Sequence, residues 1–337
     1  MTAPLRPMNL GEILDRSMQV YGRQFWSFIT VAAVPALVVQ AIALADAYWF
    51  HLYSSTVQDN HWTPGIYMTQ AIFAIGYYHF ASFTSFLLLP VILKLVSGDL
   101  LNEDVKVREA WRFFGARWGS YLWLAALELV VGLVIIEVLT AVLLGCTMEA
   151  FDALGAQSFL EGVKSFMVVG LWFSAGFSAF LWIGSSLSLA IPSAAFEGLR
   201  VFRALRRSWS LTTRSRLRIA LAWVALAIAA WSLSFSFQWI LRLLVVAVVR
   251  WTHARWIFYT LYPILSQTVN TALSTVLGPI YPIAITLFYY DQRIRREGYD
   301  IERLMESAGM TATLTPPAGE EVAVPAIAPA PFEVPPS

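Results

Sequence analysis

The sequence predicts an all-α fold: a polytopic integral membrane helical bundle of six transmembrane helices, arranged as three hairpins, each preceded by an amphipathic interfacial helix. Composition is the first observation behind this. Of 337 residues, 58% are hydrophobic and 13% charged, with a mean hydropathy of +0.62. Soluble domains carry about 25% charged residues, so there are too few charges here to cover a water-facing surface. The second observation is a series of apolar windows, each long enough for the about 20 residues that cross a hydrocarbon core. The third is the one-sided placement of lysine and arginine around those windows.

The spans fall at about 25–47, 66–93, 119–146, 165–191, 219–241 and 258–290. Span one is charge-free from Gln24 to Ala45, and it is too long and lacks the Ala-x-Ala exit of a cleavable signal. Span two lies within Asn60–Leu93, span four within Ser165–Phe196, span five within Ile219–Leu241 and span six within Trp256–Tyr290. Span three, within Trp118–Met148, is apolar apart from Glu128 and Glu137. The longest windows exceed what a crossing needs, so tilt or helix beyond the lipid is expected. Trp26, Trp49, Trp118, Trp251 and Trp256 lie near span ends and read as interface anchors.

Of the 23 basic residues, 19 lie before span one, between spans two and three, between spans four and five, or after span six. The remaining connections hold Lys164, Arg242, Arg250 and Arg255. This bias expects a multi-pass protein of the cell (inner, cytoplasmic) membrane with both termini in the cytoplasm. The net charge of +1 gives no global field for nucleic acid, which is not an expected partner.

Each outward-going span follows an amphipathic segment, around residues 10–23, 105–117 and 197–212. The first sets Leu10, Ile13, Leu14, Met18, Tyr21 and Phe25 against Glu12, Asp15, Arg16, Gln19 and Arg23. In the second, Val107, Ala110, Trp111, Phe114, Trp118 and Leu122 recur at helical spacing; the third carries Phe202, Leu205 and Trp209 among arginines. Such helices are expected to lie in the headgroup layer, apolar face down. Shifting the first segment by 97 positions puts Glu12 on Glu109 and Trp26 on Trp123; shifting it by 191 puts Arg16 on Arg207 and Arg23 on Arg214. The unit of interfacial helix, span, outer loop and span is thus used three times in one orientation, unlike an inverted-repeat transporter.

Asp291 to Met305 reads as a short charged helix that closes a membrane domain over 1–310. From 311 to 337 the chain is rich in proline and alanine, with seven prolines in its last 25 residues, and is expected to be a disordered cytoplasmic tail.

Three stretches resemble one bacterial family. They are Pro7-Met8-Asn9-Leu10-Gly11-Glu12-Ile13-Leu14-Asp15-Arg16, Ala204-Leu205-Arg206-Arg207-Ser208-Trp209 followed by Leu211-Thr212, and Tyr289-Tyr290-Asp291 followed by Arg293 to Glu302. The chain resembles the membrane-domain family of glycerophosphoryl diester phosphodiesterase, over about residues 5 to 303. The resemblance implies a polytopic helical membrane domain, fused in some members to a catalytic barrel that uses a His-Arg pair. His51, His61, His79 and His253 are the histidines of this chain, and none precedes an arginine. No soluble segment approaches the roughly 250 residues of such a barrel. Membrane domain without catalytic domain is the expectation.

Glu128 is the first candidate site. It lies about 15 Å into span three, where an ionisable group costs at least about 2.5 kcal/mol. It is expected to be buried and hydrogen-bonded to a polar stripe of a facing span. Gln267 and Asn270, with Ser274 and Gly278, form one such stripe on span six; Ser174 and Ser178, with Ser185 and Ser188, form another on span four. The plain alternative is interhelical glue. The second candidate is an anionic-lipid surface of Arg200, Arg203, Arg206, Arg207 and Arg214.

Other chemistry is not found. No HxH, HxxxH or HExxH spacing supports a metal, and no cofactor is expected. Cys146 alone excludes an intrachain disulfide and a CxxC site. Gly184-Ser185-Ser186 is not a GxSxG elbow, and Ser97-Gly98-Asp99-Leu100 offers an aspartate without an intramembrane partner. The expected function is therefore non-enzymatic: scaffolding, regulation or lipid organisation at the cytoplasmic face, with anionic headgroups and membrane proteins as partners. One alternative is a carrier for a lipid or small solute around Glu128. A weaker one is a membrane subunit for a separately encoded phosphodiesterase.

Overall fold

In the computed structural model, which describes residues 6–56, 64–101, 103–132, 134, 159–254 and 257–307, every regular element is helical. Among these residues, which are all-helical, five helices are long and apolar enough to cross a membrane. The second half of span three, with Glu137 and Cys146, lies outside the described residues, as do His61 and the tail at 311–337. The six-span count is expected from the sequence, and the structure describes span three as far as the helix Trp118–Gly132.

Helix α1 (Leu10–Arg23) starts at a capping box. The Asn9 side chain accepts from the Glu12 amide at 2.8 Å, and Glu12 accepts from the Asn9 amide at 2.8 Å. That amide, and then Arg6, hold the Glu12 carboxyl below its ordinary pKa. The long helices α2 (Phe25–Thr56) and α3 (Pro64–Leu101) follow and pack on each other. Next come α4 (Val107–Ala116), α5 (Trp118–Gly132) and α6 (Phe159–Leu187). The third repeat holds α8 (Val201–Thr212) and α9 (Arg216–Thr252), preceded by the short α7 (Ala190–Glu197). A π-helical turn, Ile257–Leu261, leads into α10 (Tyr262–Leu277) and α11 (Ile280–Glu297).

The expected spans four and six are not continuous helices. The first breaks at Ser188–Leu189 and the other at Gly278–Pro279. Proline explains both positions. Pro192 has no N–H for the Ser188 carbonyl, and Pro279 and Pro282 leave those of Thr275 and Gly278 unserved. Pro90 also lies inside α3, yet that helix runs through. Around Pro90 and Pro192 and onward from Pro282 the chain is almost wholly buried, in residues 88–93 of α3, 189–195 around α7 and 282–292 of α11. These three segments pack on one another to form the core.

The amphipathic helices form at the expected places, but their buried faces meet protein. α1 packs on α11, α4 on α3 and α8 on α7. The repeat register survives in burial: Ile13, shifted by 97 and 191 positions, falls on Ala110 and Ala204, and all three are 0% exposed. In α8 the buried face is Ala204, Ser208, Leu211 and Thr212, while Phe202 and Trp209 stay exposed. Small residues let α8 approach closely enough for Ser208 to donate to the Ser186 carbonyl at 2.7 Å and accept from the Leu189 amide at 3.1 Å. Ser208 thereby serves backbone groups at the α6–α7 break. Tyr21 of α1 does the same at the α10–α11 break, donating to the Val276 carbonyl at 2.6 Å.

At one end of the core Asp291 ties three segments together. Its fully buried carboxylate accepts from the Met8 amide at 2.8 Å and from Arg295 Nε at 3.0 Å, and lies 3.5 Å from Arg218. The Met8 carbonyl in turn accepts from Arg218 at 2.8 Å and Arg295 at 2.7 Å. A second unit begins at Gly298. Its helix α12 (Tyr299–Ser307) follows Gly298, whose φ of 65° is left-handed, so the expected charged helix over Asp291–Met305 is divided there.

Asp291→Ala leaves two cations and a backbone amide without their acceptor. It should lower stability by about 2–3 kcal/mol, read as a fall in melting temperature in mild detergent, with Asp291→Asn losing less. Equal melting of Asp291→Ala and the parent chain would show that the node contributes nothing.

Candidate functional site

Glu128 lies on α5 at a position the repeat makes inward-facing. Val31, shifted by 97 and 191 positions, falls on Glu128 and Ala222; Val31 is 0% and Ala222 1% exposed. A carboxyl thus stands where the other repeats put a core aliphatic. Its Oε1 is shielded and has no hydrogen-bond partner among the described residues. The expected hydrogen bond of this oxygen to span four or six is not found among them. Ser174 and Ser178 are exposed, and their hydroxyls donate to their own helix, to Leu171 at 2.8 Å and Ser174 at 2.7 Å.

The polar stripe of α10 joins helices instead. Gln267 donates to Tyr77 of α3. Gln40 of α2 donates to Thr268 at 3.2 Å and accepts from Thr271 at 2.6 Å. Ser266 donates to Gln238 of α9 at 2.8 Å, and Gln238 donates back to the Ser266 carbonyl at 2.9 Å. Hydrogen bonding between apolar helices gives each pair a register that dispersion alone leaves soft.

The groups nearest Glu128 in chemistry are ones the sequence did not flag. Tyr281, in the first turn of α11, interacts electrostatically with Glu128. Its ring stands edge-on to Trp223 of α9, with centroids 5.5 Å apart. Trp223 also leans on Gly184 of α6, where an added Cβ would come within 2.6 Å of the indole. Tyr281 lines a cavity of about 390 Å³ between α2, α3 and α10, together with Pro35, Tyr77, Ser85, Asn270 and Ser274. Glu128 is not among the cavity's lining residues. Shifting Val31 by the repeat period would have shown Glu128 to face inward, but no spacing brings Tyr281 or Trp223 beside it.

The basic candidates divide. Arg200, Arg203, Arg206 and Arg214 are exposed. Arg207 is half-buried and committed: it donates to Glu197 at 2.9 Å and 3.0 Å and pairs with Glu297. Burial works against its charge, yet these two carboxylates hold the guanidinium above its ordinary pKa. Tyr289 donates to the same Glu197 at 2.8 Å, so Arg207 belongs to a bridge between α7, α8 and α11. No cluster of three or more metal-ligating side chains occurs among the described residues. Compared with known proteins, the chain matches no protein-family model, no curated protein and no solved structure.

An orphaned buried carboxyl oxygen is a net cost, and an apolar side chain of similar length removes it. Glu128→Met should therefore raise stability by about 1–3 kcal/mol, seen as a higher melting temperature in detergent. A lower one would mean that the carboxyl is bound by another part of the chain.

Proposed function

We propose that this chain is a non-enzymatic, six-span protein of the bacterial cytoplasmic membrane, with both termini cytoplasmic, that organises anionic lipid and holds protein partners at the cytoplasmic face. One observation carries the proposal. Arg200, Arg203, Arg206 and Arg214 are exposed and make no ion pair among the described residues, on and beside a helix that also exposes Phe202 (82%) and Trp209 (47%). Unpaired guanidinium groups beside exposed aromatics suit a headgroup layer, where the rings enter the interface and the cations meet phosphate. The large exposed apolar faces of α2 and α9 (17% and 11% buried) suit lipid contact. Kinship with the glycerophosphoryl diester phosphodiesterase membrane-domain family is part of the same proposal, resting on the three sequence stretches. No phosphodiesterase activity is proposed for the chain itself.

A second reading, a carrier for a lipid or small solute, is favoured by the cavity lined by Tyr281, Asn270 and Ser274, Tyr281 also interacting electrostatically with Glu128. Under it, Glu128→Met abolishes transport while the fold survives. Under the lipid-organising reading that substitution leaves lipid retention unchanged.

Reporter fusions after Gly155 and His253 should report outside, and fusions after Val105 and Ser210 inside. Arg203→Gln with Arg206→Gln should weaken retention of anionic lipid at low salt by about 1 kcal/mol per arginine, and less at high salt, with unchanged melting. Arg207 is left in place because its partners are carboxylates. Undiminished lipid-to-protein ratios after purification, or one reversed fusion, would sink the respective part of the proposal.

A further inference from the structure

Arg216 is the first residue of α9 and is 8% exposed. Its neighbours in kind have acceptors: Arg218 lies 3.5 Å from Asp291, Arg23 3.4 Å from Asp99, and Arg207 2.9 Å from Glu197. Arg216 has none among the described residues, and its Nε and Nη2 are both shielded and without a hydrogen-bond partner. What it does have is aromatic contact. Its Cζ lies 4.2 Å from the Trp209 ring centroid and 4.7 Å from that of Trp182.

Indole faces hold the flat of a guanidinium by cation–π attraction and leave its in-plane N–H groups as the hydrogen-bonding edge. The two orphaned nitrogens are not a random pair. Nε–H and the N–H of Nη2 beside it point the same way and form the side fork of arginine, whose spacing matches two oxygens of one phosphate. A buried cation with an unused fork carries a large desolvation cost until an anion fills it. The helix end adds to the attraction. Ser215, the N-cap of this 37-residue helix, makes no capping bond, because its hydroxyl turns to the Thr212 carbonyl at 3.4 Å. The first-turn amides are thus left without a side-chain cap at the positive pole of the helix. Trp182 and Trp209 are themselves 55% and 47% exposed, so both aromatic walls around the shielded guanidinium reach the molecular surface, and their side chains need only swing aside to admit an anion.

We propose that Arg216, Trp182 and Trp209 form a phosphate site in which the Arg216 fork takes two phosphate oxygens. The phosphate belongs to a phospholipid headgroup or to free phosphate. The placement at headgroup level rests on the lipid-organising proposal above; the fork itself does not. This site differs from the exposed arginines of α8, which attract any anionic surface, in demanding a fork and a stack rather than charge.

The test uses the full chain purified in mild detergent, titrated with phosphatidylglycerol and followed by native mass spectrometry. One lipid should be held more tightly than the rest. Arg216→Lys keeps the charge but loses the fork, and should weaken that one lipid by about tenfold or more. Trp209→Leu removes one wall and should weaken it in the same direction. Arg203→Gln with Arg206→Gln should strip loosely held, salt-sensitive lipid and leave the tight one. Release of the tight lipid by inorganic phosphate identifies free phosphate as a ligand of the fork; resistance to it identifies the lipid headgroup. A folded Arg216→Lys chain that retains the tight lipid as well as the parent overturns the proposal. Should that variant not fold, an unchanged tight lipid in Trp209→Leu overturns it equally. Loss of loose lipid without any tight site sinks this inference and spares the lipid-organising proposal; a tight site weakened by Arg216→Lys and Trp209→Leu, with no loose lipid lost in Arg203→Gln with Arg206→Gln, does the reverse.

Discussion

Backbone groups freed inside an apolar interior must find partners, and this fold is organised around two places where that need arises. Helices α6–α7 and α10–α11 each break in their path, at Ser188–Leu189 and at Gly278–Pro279. Water and neighbouring turns usually serve such groups; lipid-facing helices have neither. The partners here are side chains of the amphipathic helices: Ser208 and Thr212 of α8 reach the Ser186 carbonyl at 2.7 Å and 3.4 Å, and Tyr21 of α1 reaches that of Val276 at 2.6 Å. Tyr21 and Thr212 are related by the 191-position repeat, so two chemically different hydroxyls perform one task at equivalent positions.

This requirement fits the way α8 turns Ala204, Ser208 and Thr212 inward and leaves Phe202 and Trp209 outside. A helix that must reach a carbonyl of its neighbour needs close approach, which Ala204 and Ser208 allow and Phe202 would prevent. The aromatics displaced to the outside, Phe202 and Trp209, are then available to the membrane. One constraint therefore sets both the internal capping and the character of the outer surface.

Charge follows a related logic. Asp291 and Glu197 gather arginines and a tyrosine at the same end of the core, where helices from different repeats must be joined. Glu128 and Arg216 stand apart from those networks, each with shielded polar atoms that lack partners among the described residues. One occupies a core position that is aliphatic in the other repeats. The other is packed between indoles and retains a donor geometry suited to an anion. They are the two ionisable carboxyl or guanidinium groups among the described residues where burial is not matched by pairing, and for that reason the two from which function is argued.

The helical class, the amphipathic segments and the places of the long helices were all legible in the sequence, because apolar length and helical periodicity are local properties. The threefold repeat was legible too: shifts of 97 and 191 positions align Ile13 with Ala110 and Ala204, all buried alike. Tertiary structure alone decided how the amphipathic helices are used. Their faces pack on α11, α3 and α7, and from α1 and α8 they bring hydroxyls to backbone groups beside the helix breaks, contacts between residues far apart in the chain. It alone separated Arg207, held by carboxylates, from Arg203 and Arg206, which are exposed, and Arg216, buried without an acceptor. Their spacing in sequence is indifferent to which of them meets an acid, an indole or the surface. Partnering depends on what the other helices bring into reach, and only the packed bundle fixes that.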